Sequence, residues 1–122
     1  MANTPRVITG PNQDITGRTI TQDYQNPAYA ATITVTTTAQ RTTVQVAELT
    51  GTLTLDVATT NALIGDELVV LLSADATSGG HVVTFGTGCT AAGTLTVAAS
   101  KFGKASGIFD GNSWIMTGTA TV

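Results

Sequence analysis

From residue 31 onward, apolar and polar residues alternate along the chain. Ile33 and Val35 alternate with Thr32, Thr34 and Thr36; Val44 and Val46 with Thr43, Gln45 and Ala47; Leu53, Leu55 and Val57 with Thr52, Thr54 and Asp56. A period of two puts successive side chains on opposite sides of an extended backbone, so each run predicts a strand with one buried face. Leu68-Val69-Val70-Leu71-Leu72 departs from this rule as an unbroken apolar run. It is short enough to be a strand covered on both faces. Further strands are expected around Val82, Val83 and Phe85, at Leu95 and Val97, at Ile108-Phe109 and at Trp114-Ile115-Met116.

Turn-forming residues separate these runs: Thr50-Gly51, Gly65-Asp66, Ser78-Gly79-Gly80, Gly86-Thr87-Gly88, Ala92-Gly93 and Asp110-Gly111-Asn112. Gly supplies positive φ, and Asp and Asn bond their own backbone at turns. Asp110-Gly111 between apolar runs predicts a hairpin with its two strands antiparallel and Trp114 or its neighbours facing the core. The best helical stretch, Ala58 to Ile64, has room for about one turn before Gly65 stops it. Many short strands at this spacing predict an all-β fold, an antiparallel β-sandwich of jelly-roll-like or immunoglobulin-like type.

Residues 1–30 follow a different pattern. Pro5, Pro11 and Pro27 are the only prolines, set among Asn, Gln, Asp and Thr with short apolar pairs. Proline lacks the backbone donor that a central strand needs. The chain is therefore divided into an extended N-terminal arm, 1–30, for attachment or subunit exchange, and a sandwich domain, 31–122. Arg6, Val7, Ile8, Ile15, Ile20, Tyr24 and Tyr29 are the arm's candidate interface residues, the tyrosines because large aromatics anchor interfaces.

Composition narrows the function. Of 122 residues 26 are threonine, while charged residues make up 11%, under half the usual share of a soluble domain. A strand face built of Thr with few charges suits lasting contact with other subunits. The net charge of −3 comes with scattered cations, Arg6, Arg18, Arg41, Lys101 and Lys104, which argues against nucleic acid. No apolar stretch reaches the length of a membrane-spanning helix, and the N-terminus lacks a secretory leader, so synthesis in a cytoplasm and no membrane partner are expected.

Candidate chemistry is sparse. Cys89 is the only cysteine and His81 the only histidine, so neither a disulfide nor a His/Cys metal cluster is available within one chain. A nucleophile would have to recruit His81 from an ordinary turn, so no enzyme activity, catalytic residue, metal or cofactor is expected. Asp66, Glu67, Asp75 and Asp110 fall at turns and read as turn-capping carboxylates rather than a calcium site. His81 and Trp114 remain as a candidate ligand loop, Trp114 for its capacity to stack on a sugar.

One resemblance adds context. Gly65-Asp66-Glu67-Leu68, then Gly79-Gly80-His81-Val82-Val83-Thr84-Phe85, and the closing Phe109-Asp110-Gly111-Asn112-Ser113-Trp114 resemble a module of bacteriophage virion proteins. That group includes capsid decoration proteins, head fibres and tail-fibre domains, commonly trimeric, and the likeness covers roughly residues 31–118. It implies a homotrimeric decoration (cement) or head-fibre protein on the capsid surface, bound to itself and to the major capsid protein or other virion proteins. The alternative it implies is a fibre-tip module that binds a host surface glycan.

Overall fold

The computed structural model describes residues 21–91 and 93–120. Ten strands form, β1 Gln22–Gln25, β2 Thr32–Val35, β3 Arg41–Gln45, β4 Leu53–Val57, β5 Glu67–Ser73, β6 His81–Phe85, β7 Cys89–Ala91, β8 Thr94–Val97, β9 Phe102–Phe109 and β10 Trp114–Ala120. There is no helix among the described residues, and the Ala58 to Ile64 stretch is a turn and loop. The strands lie in two sheets, one of six in the order β1-β3-β5-β9-β10-β7 and one of four in the order β2-β4-β6-β8. The result is an all-β, sandwich-like molecule.

The antiparallel expectation is corrected by the pairing. β1 with β3, β3 with β5, β2 with β4, β4 with β6 and β7 with β10 are all parallel. Only β5 with β9, β9 with β10 and β6 with β8 are antiparallel. The cause is the path of the chain. From β1 to β8 each strand is followed by one in the opposite sheet, so the return journey of every coil is spent across the core. Neighbours in one sheet then run the same way from β1 to β6, as a crossover of a dozen or more residues permits, and β8 departs from this by lying antiparallel to β6. Neither the jelly-roll nor the immunoglobulin arrangement, both antiparallel, describes this winding.

The core lies between the sheets and follows the alternation read from the sequence. Ile33, Val35, Leu53, Leu55, Val57, Val83 and Val97 come from the small sheet; Val44, Leu68, Val70, Leu72, Phe109, Trp114 and Met116 come from the large one. The Asp110-Gly111 hairpin forms as expected, with Trp114 opposite Phe109 and Met116 opposite Gly107. Trp114 is completely buried, its ring centroid 5.4 Å from that of Phe109, and its indole N–H donates to the carbonyl of Ala58 at 3.2 Å. That bond ties the hairpin to the segment leaving β4 and satisfies the one polar atom of the side chain.

The N-terminal thirty residues divide. Residues 1–20, with Arg6, Val7, Ile8, Ile15 and Ile20, lie outside the described residues. Residues 22–25 are β1, an edge strand of the six-stranded sheet, and the carbonyl of Pro27 accepts a bond from Ala47 N.

Candidate functional site

β5 reads Glu-Leu-Val-Val-Leu-Leu-Ser, and its side chains alternate across the sheet despite the unbroken apolar composition. Leu68, Val70 and Leu72 are buried against the small sheet, leaving Val69 and Leu71 on the outer face. The expectation that this run is covered on both faces is met on one face only within a single chain. The neighbouring strands extend the same surface. On β9, Gly103, Ala105, Gly107 and Phe109 turn inward, which sends Phe102, Lys104, Ser106 and Ile108 outward; on β10 Ile115 does the same. Phe102, Ile108 and Ile115 are 62%, 54% and 43% exposed, and Tyr24 on β1 is 59% exposed.

The registers order this face into rows that run across the strands. One row is Gln22, Arg41, Glu67, Ile108, Ile115 and Thr90. The next is Tyr24, Thr43, Val69, Ser106 and Thr117. Within the first row Arg41 Nε lies 3.4 Å from Glu67 Oε1, an exposed pair that cancels its own charge. Tyr24 donates its hydroxyl to Gln45 Oε1 at 2.8 Å, which holds the ring over the β1–β3 side of the face. Beyond the second row lie Gln45, Leu71 and Lys104. The face thus carries a group of apolar side chains, Val69, Leu71, Phe102, Ile108 and Ile115, set among hydroxyl, amide and charged ones.

The opposite surface of the molecule has a different chemistry. Thr32, Thr54, Thr84 and Thr94 stand in one row across β2, β4, β6 and β8, with Thr34, Asp56, Val82 and Thr96 around them. Asp56 Oδ1 accepts the Thr87 amide at 2.8 Å, so this carboxylate serves the local turn. Threonine occupies the outward positions here, as the alternation implied.

The residues singled out for chemistry are placed as follows. His81 is 7% exposed at the start of β6, with Nε2 2.8 Å from Asp75 Oδ1. Asp75 Oδ1 also accepts the Thr77 amide, and the His81 contact, then Thr77, hold this carboxyl below the usual carboxylate range. His81 thus fastens the β5–β6 turn. Trp114 is inside the core on β10, in the other sheet, so the two do not form an exposed ligand loop. Cys89 is half-buried on β7, and burial pushes its thiol above the usual value, away from a reactive thiolate. Asp110 Oδ1 accepts the amides of Asn112 and Ser113, and these bonds hold it below the usual range. Asp66 Oδ2 accepts the Leu63 amide at 2.9 Å. Tyr29 packs on the core and donates to the Thr52 carbonyl at 2.6 Å. Among the described residues no three His, Cys, Asp or Glu side chains gather as a metal site, and no helix is long and apolar enough to cross a membrane.

Sequence reasoning missed the apolar group on the outer face as a site. The available signal was the unbroken Leu68 to Leu72 run, because a strand apolar on both sides needs two covers and a chain of this size supplies one. No protein-family model and no characterised protein sequence matches the chain.

Proposed function

We propose that this chain is a structural protein of a virus particle, a homotrimeric decoration or head-fibre protein held on the outside of a phage capsid. One observation carries the reading: the outer face of the six-stranded sheet holds exposed apolar side chains, Leu71, Phe102, Ile108 and Ile115, among its polar ones, and a single chain leaves them open. Monomeric soluble proteins rarely leave a contiguous apolar patch larger than a few hundred Å² in water. The low charge of the chain and the hydroxyl-rich reverse face suit a shell component, which spends its life in contact with copies and neighbours. The motifs around Gly65, Gly79 and Phe109 that resemble phage virion modules add the viral context. All three fall on turns and strands of one continuous fold.

The partners under this reading are further copies of the chain and the major capsid protein. A glycan-binding role centred on His81 and Trp114 has no support, because both side chains are buried. The test is mass spectrometry and antibody labelling of purified particles from the source that encodes the chain. The chain is expected in intact particles, labelled on the capsid exterior. Its absence from particles, with the protein present in the producing cells, overturns the proposal.

A further inference from the structure

We infer that the end of the six-stranded sheet around Phe102 and Lys104 is a docking site for an acidic, apolar segment of another protein. The inference goes beyond the viral reading and stands without it.

The two cations on the outer face have opposite surroundings. Arg41 stands opposite Glu67 in the β3–β5 register and is neutralised there at 3.4 Å. Lys104, on β9, stands opposite Leu71 on one side and Thr119 on the other. Phe102 and Ser106 are its outward neighbours along its own strand. None of these is a carboxylate. Among the described residues neither Lys104 nor the exposed Lys101 has an ion pair. In a chain of net charge −3, this end of the sheet carries uncompensated positive charge.

Apolar surface lies beside that charge. Phe102 is paired with Ser73 across the strands and is 62% exposed, and Leu71, diagonal to it, is also exposed. Side chains directly opposite one another sit about 4.5–5.5 Å apart and diagonal ones about 7–8 Å, so Leu71, Phe102 and Lys104 adjoin. Next to them runs a groove of about 220 Å³, lined by Gln45, Leu71, Ser73, Phe102 and Gly103 among others. That is less than the roughly 300 Å³ at which pockets for drug-sized molecules begin, and it suits one inserted apolar side chain.

These features select the occupant. One large apolar side chain fills the groove against Phe102, and a carboxylate next to it in the partner's sequence meets the Lys104 ammonium. The pair forms beside Leu71 and Phe102, which exclude water and make it stronger than a pair in open solvent. Nucleic acid needs a longer row of cations than two lysines. A second copy related by a two-fold axis through the groove would bring Lys104 toward Lys104.

The test is an NMR titration of the isotope-labelled full chain with two synthetic peptides, acetyl-Glu-Leu-Glu-Phe-Glu-amide and its counterpart with lysine for glutamate. The acidic peptide is expected to bind with a Kd under about 1 mM and to weaken with added salt. It should move the amide signals of β5 and β9 around Leu71 and Phe102; the lysine peptide should move none. Lys104→Glu, at an exposed position, is expected to reverse the preference, losing the acidic peptide and gaining the basic one. Phe102→Ala is expected to weaken the acidic peptide about tenfold with an unchanged β-sheet circular dichroism spectrum. Thr84→Ala, on the threonine row of the opposite face, is expected to bind as wild type does. No binding of the acidic peptide at about 1 mM overturns the inference. So do signals that move elsewhere, an equal response to both peptides, or a folded Lys104→Glu protein that keeps the wild-type preference. Binding to phosphatidylglycerol vesicles in place of the acidic peptide also overturns it and assigns the patch to a lipid surface.

Discussion

Thr42 sits on the inner face of β3, two residues before Val44, and its hydroxyl is buried with no hydrogen-bond partner among the described residues. A buried orphan hydroxyl forfeits its hydration without return, at a cost of about 1–3 kcal/mol. Val has the same shape without the oxygen, and it suits a strand at least as well. Thr42→Val is therefore expected to raise the unfolding free energy by about 1 kcal/mol in urea titrations. A loss of stability would show that the hydroxyl is satisfied from beyond the described residues. Asp75 is the opposite case, a polar group whose bonds are made. Its folded pKa is lowered by the His81 contact and the Thr77 amide, so it binds protons less readily folded than unfolded. Its stabilisation is complete above the unfolded carboxylate value of about 3.9 and is lost as pH falls through the lower folded value. Asp75→Asn should accordingly lower the melting temperature most near neutral pH, and the gap from wild type should close as the pH falls below the ordinary carboxylate range. A gap that stays constant over that range would remove the carboxylate charge from the explanation.

Turns and strands were legible to different degrees. Strands β2, β3 and β4 announced themselves by alternation, β6, β8 and the start of β10 by their apolar residues between turns, and the Asp110-Gly111 turn announced its hairpin. β1, Gln-Asp-Tyr-Gln, and β7, Cys-Thr-Ala, carry no apolar alternation and were silent. The first six residues of β9 were hidden for another reason. Their inward positions are Gly103, Ala105 and, next, Gly107, too small to show an apolar alternation; at Gly107 the space is taken by Met116 from β10, whose sulfur a Cβ there would meet. Strand pairing was illegible because period-two patterning says which face is buried and nothing about which strand lies alongside. The candidate site was half legible: the apolar run was visible, while the open side of it depended on that pairing. The glycines at Gly79-Gly80 show what a turn residue encodes beyond the turn. Both have positive φ, but an added Cβ meets open space at Gly79 and the backbone carbonyl of Val97 on β8 at Gly80. Gly79→Ala should cost about 1–2 kcal/mol, the strain of a left-handed non-glycine residue. Gly80→Ala should cost clearly more, since β8 cannot retreat without breaking its pairing with β6. Equal losses in chemical denaturation would refute the packing argument.

For the molecule as a whole, the winding between two sheets determines how folding must proceed. The contacts that define the sheets join distant positions: Gln22 to Arg41, Arg41 to Glu67, Leu53 to Val83, and Glu67 to Ile108. Each requires closing a long loop before any bond rewards it. Chains dominated by such pairings refold in about milliseconds to seconds, and stopped-flow refolding should find this one there; microsecond folding would contradict the topology. Among the paired strands only β9 and β10 follow each other directly in the chain, which makes that hairpin the natural first element, with Asp110 bonding two amides at its tip and Trp114 waiting for the rest of the core. Asp110→Ala weakens the tip and should slow refolding while changing the unfolding rate little. Gly80→Ala disturbs a junction between β6 and β8 that forms late and should mainly speed unfolding. Refolding and unfolding rates of both variants across a urea series decide the order. If Asp110→Ala accelerates unfolding and spares refolding, the hairpin is not part of the nucleus and the parallel coils must form before it.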